Sequence, residues 1–404
     1  MTFRNTRSIC IVSQQFGAIV SGIGLHAWNL SHALARDGHR VTVVIPRSQK
    51  PRQVEADIEF VLTPDPVLKA NQARWLSVAL HFGQALRRLE AEHRFDIVQF
   101  TDAREALFAL GGPAPRIGHI NDYYAAEVKP VPWAYRKHYN DWLARWLYYQ
   151  FVFTCEKYTL PRLSAVVANS QYTANAVQRV YRVPHERLFV CYKSVDADAY
   201  TRARQIHSTA PRHLVVLFVA GNMQRKGMAT LIRAAPRVIA ERPDVEFRVV
   251  GRDANEPQMR ALCAQQGVID CFNFMGWQPH DKLASLYAEA SAFVMPSLME
   301  AFGVVFLEAM AAGVPVIGSN VGGITELIRD EENGLLARVD DAEHLAQQIN
   351  RLLGDSALSR RLIAGGHNTV QQFTVQRMME CTYCIYDEVL ARSPASRAIR
   401  SLSD

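Results

Sequence analysis

Residues 300–316 read EAFGVVFLEAMAAGVPV and lie between two short apolar runs, 292–296 and 315–319, each of which reads as a buried strand. Glu300 and Glu308 bracket the stretch with seven residues between them. Phe302-Gly303 lets backbone approach a ligand closely, and residues 304–312 read as a helix stopped by Gly313 and Pro315. Glu300 then stands at the helix entrance and Glu308 one to two turns inside it. Both can face a ligand lying across the helix N-terminus, whose N–H groups and dipole attract a diphosphate. Carboxylates there accept hydrogen bonds from a hydroxyl-rich group such as a sugar. An isolated pair of glutamates would ordinarily be a helix-end charge and a solvated surface residue, so the surrounding sequence has to decide.

That surrounding sequence resembles glycosyltransferase family 4. EAFGVVFLEAMAAGVPVI, followed by GGITELI at 322–328 and NGLL at 333–336, is similar to the family pattern. The likeness is dense from 218 to 355 and looser before 192. It implies an α/β GT-B fold, two Rossmann-like doubly wound parallel-sheet domains facing a central cleft. The expected division is an acceptor-binding domain at 1–196, a linker rich in Arg, Ser, Thr and Pro at 197–212, and a nucleotide-sugar-binding domain at 213–375. A last helix and tail at 376–404 would cross back to the first domain.

At 404 residues, with 49% hydrophobic and 21% charged, the chain is long enough for two domains with a core in each. No apolar run approaches a membrane span, because Glu308 and Pro315 break the longest candidate. Arg4 and Arg7 precede a short apolar run, 9–12, which reads as a first strand rather than a signal peptide. Seven cysteines without paired spacing point to a reducing compartment, so a cytoplasmic location is expected. Cys381 and Cys384 form a C-x-x-C inside a helical pattern with no second pair, which reads as helix packing rather than zinc or redox chemistry. The net charge of +6 is concentrated in residues 1–200, and the second half is close to neutral. An anionic acceptor, an anionic membrane surface and a solvated basic face all fit that asymmetry. Nucleic-acid binding is not expected, since the excess is small and no recognition module is visible.

Residues 7–13 read as a strand, 14–24 as a loop ending in Ser21-Gly22-Ile23-Gly24, 25–36 as a helix stopped by Asp37-Gly38, and 39–46 as the next strand. GIGLHA formally satisfies the dinucleotide fingerprint G-x-G-x-x-A. The loop is nevertheless too long for a tight turn, and the second strand ends Val44-Ile45-Pro46-Arg47 without the acidic residue that grips a ribose. In the resemblance this loop reaches over the donor phosphates, with Gly22 best matched, Gly24 beside it and Ser21 in place of the first glycine. Strands at 58–62, 97–101 and 116–121 alternate with helices at 70–92 and from Glu105, the pattern of a parallel sheet whose ligands gather at strand carboxyl ends. His119 lies at such an end, in H-I-N-D. A lone histidine there is more often structural; the resemblance makes it the histidine near the donor sugar. Asp122, three residues on, is placed either to orient it or to bind acceptor.

Residues 123–158 crowd aromatic with basic side chains, and Trp142, Trp146 and Tyr149 share helical spacing. Three readings stay open: peripheral contact of 133–153 with an anionic membrane on its inner face, stacking on rings in an acceptor cleft, and plain packing. A strand at 165–169, a helix at 171–181 and a strand at 188–192 complete the first domain.

Residues 214–220 read as a strand, followed by Gly221-Asn222-Met223-Gln224-Arg225-Lys226-Gly227 and a helix. Glycines at a turn, basic side chains and a helix N-terminus make a phosphate site on chemical grounds. In the resemblance an Arg after the first glycine and a Lys before the last grip the diphosphate. Lys226 fits, Asn222 occupies the Arg position, and Arg225 is expected to supply the missing charge. The resemblance gives Glu308 the ribose hydroxyls, Glu300 the sugar hydroxyls, and the backbone of Phe302, Gly303, Val304 and Val305 the sugar and distal phosphate. Strands at 245–250 and 272–275 and helices at 342–353, 356–373 and 375–392 fill the remainder.

The implied activity is retaining transfer of a sugar from a nucleotide-sugar donor, a UDP-sugar by preference, to a hydroxyl of a small-molecule, glycan or lipid-linked acceptor. Expected catalytic residues are His119, Lys226, Arg225 and Glu300, with Lys226, Arg225 and the helix at Gly303 stabilising the leaving diphosphate. No carboxylate stands as an obvious covalent nucleophile, which implies front-face attack. No His/Cys/Asp cluster with metal-ligand spacing is present, so neither a cofactor nor an essential metal is expected, the nucleotide sugar being a co-substrate. Two rivals are a nucleotide-sugar epimerase or hydrolase of the same fold, which would act on donor alone, and an NAD(P)-dependent oxidoreductase, which tight dinucleotide binding would revive.

Overall fold

Apolar residues fill the first strand on both sides: Ile9 and Ile11 pack into one core and Cys10 and Val12 into another, all fully buried. A strand covered on both faces belongs inside a parallel sheet with helices above and below. The computed structural model describes residues 6–17, 22–51, 53, 56–66, 71–122, 142–206 and 214–392. The chain divides into two compact units, Met1–Lys193 together with Val375–Asp404, and Ser194–Thr374.

The first unit is built on β1 (Ser8–Val12), β2 (Arg40–Pro46), β3 (Ile58–Thr63), β4 (Ile97–Phe100), β5 (Arg116–Ile120), β6 (Ala165–Ala168) and β7 (Leu188–Val190). They form one sheet in the order β3-β2-β1-β4-β5-β6-β7. Every pairing is parallel, with Ile9 opposite both Val41 and Ile97. The strand order reverses between β1 and β4, and loops beyond the carboxyl ends of strands at such a reversal form the ligand crevice of doubly wound sheets. Connecting helices are α1 (Gly22–Arg36), α2 (Asn71–Glu92), α3 (Trp142–Thr159) and α4 (Gln171–Tyr181). Ser170 caps α4 by accepting from Thr173 N.

The second unit opens with helix α5 (Ala197–Ile206) and continues β8 (Val215–Val219), α6 (Met228–Glu241), β9 (Glu246–Val250), α7 (Glu256–Gln265), β10 (Phe272–Gly276) and α8 (His280–Glu289). It then runs through β11 (Ala292–Met295), α9 (Val304–Ala311), β12 (Val316–Ser319), α10 (Ile324–Leu327), β13 (Leu335–Ala337), α11 (Ala342–Gly354) and α12 (Ser356–Val370). Its sheet is again parallel, in the order β10-β9-β8-β11-β12-β13, reversing between β8 and β11. One continuous apolar core fills it. The last helix, α13 (Val375–Ala391), belongs to the first unit, where Met378, Tyr383 and Tyr386 pack with Ile9, Ile11 and Leu30. No helix among the described residues is long and apolar enough to cross a membrane.

Two local expectations change. The helix expected from Glu105 is a single 3-10 turn, Ala103–Ala106. The Glu105 carboxylate folds back to accept from Gln14 N at 2.7 Å and Asp102 N at 3.1 Å, and Gly111-Gly112-Pro113 then prevents helical continuation. The expected linker contains α5, whose Tyr200 is fully buried and which packs on α8 and α9; burial of that ring outweighs a polar, loop-like composition. Residues 207–213 of that linker, and 123–141 of the aromatic stretch, lie outside the described residues. In α3 Leu147 is exposed, Trp146, Tyr148 and Tyr149 are half-buried, and Val152 is buried.

Candidate active site

The turn between β8 and α6 is held by its own polar groups. Asn222 Oδ1 accepts from Arg225 N at 2.9 Å, and Asp253, from the segment after β9, accepts from Met223 N at 2.5 Å. Gly227 enters α6 at φ 79°, and a Cβ there would lie 1.8 Å from the Pro296 carbonyl oxygen. Only glycine allows that approach. It seats the turn on the segment after β11, where Leu298 N also donates to Arg225 O at 2.9 Å. The consequence is an ion pair between Lys226 and Glu300, both largely buried.

After Glu300 the chain turns at Gly303, φ 98°, into α9, whose N-terminus carries no side-chain cap. Phe302 is buried against Phe373, ring centroids 5.7 Å apart, so its side chain serves the core. Val304 and Val305 are half-buried in the first turn. Glu308, 7% exposed, accepts from the Tyr287 hydroxyl at 3.0 Å and also hydrogen-bonds Tyr200. The two tyrosine rings meet edge to face at 5.8 Å. Burial, then the Glu308 charge, holds both phenols well above their ordinary pKa, so they stay donors. The second unit therefore gathers Asn222, Arg225, Lys226, Glu300, Phe302–Val305 and Glu308 at the carboxyl ends of β8 and β11.

A second cluster lies in the first unit. His119, at the end of β5, is buried, and its Nε2 accepts from Gln99 Nε2 at 2.6 Å while Gln99 Oε1 accepts from the Tyr386 hydroxyl. That chain leaves the imidazole proton on Nδ1. Gln99 thus holds the ring through its Nε2. Burial, then the charge of Lys193, drives the His119 pKa down to about 3, so the ring is neutral. His26 of α1 lies against it with ring centroids 4.7 Å apart, and burial also holds His26 neutral. Gly22 is the first residue of α1, and a Cβ on it would stand 3.9 Å from Lys193 Nζ. Gly24 has a packing reason of its own: a Cβ there would come within 2.9 Å of Gly17 O, where the loop folds back on the helix.

Sequence reasoning missed Tyr200, Tyr287, Asp253, Gln99 and Lys193, which the structure places beside the candidate site residues. It also missed His26, which had a visible signal, two positions after Gly24 in GIGLHA. Among the described residues no group of three or more His, Cys, Asp or Glu is placed to hold a metal ion.

Residues 20–199 match the family model described as Glycosyltransferase Family 4, and residues 200–369 the model described as Glycosyl transferases group 1. An uncharacterized glycosyltransferase of Methanocaldococcus jannaschii is 24% identical over 347 residues, 83% of this chain and 86% of that protein. Among solved structures, sucrose-phosphate synthase from Thermosynechococcus elongatus has a TM-score of 0.80 at 21% identity, covering 96% of this chain and all of that one. Anabaena HepE, solved in complex with UDP and glucose, has a TM-score of 0.69 at 18% identity, covering 93% and 97% of the two chains. With both of its parallel-sheet units matched, the chain belongs to glycosyltransferase family 4 and has the GT-B fold.

Proposed function

We propose that this glycosyltransferase transfers a sugar from a UDP-sugar to an acceptor hydroxyl with retention of anomeric configuration and without an essential metal. The observation that carries the reading is the junction of Lys226, Glu300 and the uncapped start of α9 at the carboxyl ends of β8 and β11. A lysine ammonium beside a helix N-terminus supplies what a departing diphosphate requires, two sources of positive potential in a partly dry site. Arg225, in the same turn, adds a further charge in place of the one Asn222 cannot provide. Glu308 is restrained by two phenol donors as a fixed acceptor suited to the ribose hydroxyls, and Glu300 is assigned to hydroxyls of the transferred sugar. Both carboxylates already accept hydrogen bonds, which argues against either as a covalent nucleophile and supports front-face attack, the leaving phosphate receiving the acceptor's proton. UDP is preferred as the carrier because HepE, a neighbour in fold, binds it.

We assign acceptor handling to the first unit, where His119 is neutral and offers Nδ1–H to a hydroxyl. The excess of basic residues in this half suits an anionic or lipid-linked acceptor, and exposed Leu147 on α3 suits peripheral contact with an anionic membrane. The deciding experiment is turnover of UDP-sugars after exhaustive chelation, with the product's anomeric configuration read by NMR, on wild type and Glu308→Ala. Metal-free activity with a retained anomer, lost in the variant, supports the reading. Strict metal dependence or an inverted product overturns it.

A further inference from the structure

Cys191 and Cys381 are 190 positions apart in sequence and adjacent in the first unit. Cys191 follows β7 and continues its ladder, Cys191 N donating to Ala168 O at 2.9 Å. Its Sγ lies 3.7 Å from the carbonyl oxygen of Met378 on α13, while Cys381 Sγ lies 3.4 Å from the carbonyl oxygen of Val190. Each thiol thus reaches the backbone of the other's element. Helical side chains lean toward the N-terminus, which carries Cys381 over the turn containing Met378. Cys191 is buried, Cys381 is partly exposed, and Cys384, one turn on, is exposed.

We propose that Cys191 and Cys381 form an oxidative modification site that closes to a disulfide between the end of the last strand of the first sheet and the last helix. The partly exposed Cys381 is the entry point. The hydrogen bond from Cys191 lowers the Cys381 pKa and raises that of Cys191, which makes Cys381 the more readily ionised thiol. Its thiolate attacks hydrogen peroxide: an S–O bond forms, the O–O bond breaks, and the departing hydroxide takes a proton, giving a sulfenic acid and water. Cys191 sulfur then attacks Cys381 sulfur, the S–O bond breaks, and the thiol proton leaves with hydroxide as a second water. Two thiols are oxidised by two electrons and one peroxide is reduced by two. The loop so closed contains the whole second unit, Ser194–Thr374, and α13 can no longer peel from the first sheet.

The test uses the full chain treated with one equivalent of hydrogen peroxide, followed by thiol titration and a non-reducing peptide map by mass spectrometry. Two of the seven thiols should disappear, and a peptide joining residues 191 and 381 should appear. It should persist in Cys384→Ser, be absent from Cys381→Ser, and be released by dithiothreitol. The oxidised wild type should also melt about 2–5 °C higher, because the crosslink constrains the unfolded chain. A disulfide between Cys381 and Cys384, or Cys381 oxidised to sulfinic acid with Cys191 still free, in protein whose circular dichroism is native, overturns the proposal. If Cys191→Ala does not fold, Cys381→Ser decides, since that partly exposed position tolerates the change.

Discussion

Lys226 and Glu300 form an ion pair across 74 positions of sequence, joining the turn after β8 to the entrance of α9. If the ammonium is there for a departing diphosphate, Lys226→Ala should lower kcat by about 10²–10³, the size of losing one preorganised transition-state donor. Glu300→Gln keeps the shape but loses the charge and should lower kcat less. Steady-state kinetics on both variants check this; a Lys226→Ala effect confined to donor KM would assign the pair to ground-state binding alone.

Tyr200→Phe and Tyr287→Phe each remove one hydroxyl that Glu308 accepts from. A hydrogen bond to a charged group contributes about 1.5–3 kcal/mol, so donor KM should rise roughly tenfold or more while kcat changes little. Isothermal titration with the nucleotide diphosphate reports the same loss without turnover. Unchanged affinity in Tyr200→Phe would mean that α5 only packs.

His119 is held neutral by burial, with its pKa down to about 3. The acid limb of the pH–rate profile should therefore show no titration of this group between pH 5 and 8. Gln99→Ala frees the ring from its orienting bond and should reduce kcat by about tenfold with donor KM unaltered, as expected of a positioning residue. A limb near pH 6.5 that vanishes in His119→Asn would show that the ring does charge during the cycle.

Glu156 is buried and bonded by the Tyr181 hydroxyl, and burial raises its pKa to about 8. A carboxyl raised in the fold stabilises fully below its unfolded pKa, and that contribution is lost as pH rises through the folded value. His119, lowered in the fold, acts oppositely, but only below about pH 6.5. Thermal stability should accordingly fall from pH 6.5 to 8 in the wild type and fall less in Glu156→Gln. Parallel melting profiles for the two proteins would rule Glu156 out as the source.

Gly227→Ala forces a Cβ against the Pro296 carbonyl at a left-handed φ. Loss of about 1–3 kcal/mol of stability is expected. Because the Lys226–Glu300 junction hangs on that contact, donor binding should weaken as well, which thermal shift with nucleotide sugar measures. Full donor affinity in a destabilised variant would separate the turn's fold from its function.

Most strands were readable because each is a short apolar run bounded by turn residues, and most helices because caps and stops announce themselves, as Ser170 does before α4 and Gly313 with Pro315 after α9. Elements whose character depends on distant partners were not. Glu105 looked like the start of a helix, yet its carboxylate is taken by Gln14 N, 91 positions away. The segment after Asp196 looked like a linker, yet Tyr200 is buried beside Tyr287. C-x-x-C at 381 and 384 suggested only helix packing, because the nearer thiol, Cys191, is remote in sequence.

By itself the sequence determined two parallel-sheet units and the residue types of the 300–316 stretch, since period, turn chemistry and the spacing of Glu300 and Glu308 are local properties that survive without tertiary contacts. Tertiary structure alone decided which groups meet and in what protonation state. Gln99 reaches His119 across 20 positions and Tyr287 reaches Glu308 across 21. Burial then makes His119 neutral and keeps the phenols as donors. Desolvation and hydrogen bonding are set by neighbours in space, and no spacing along the chain encodes them.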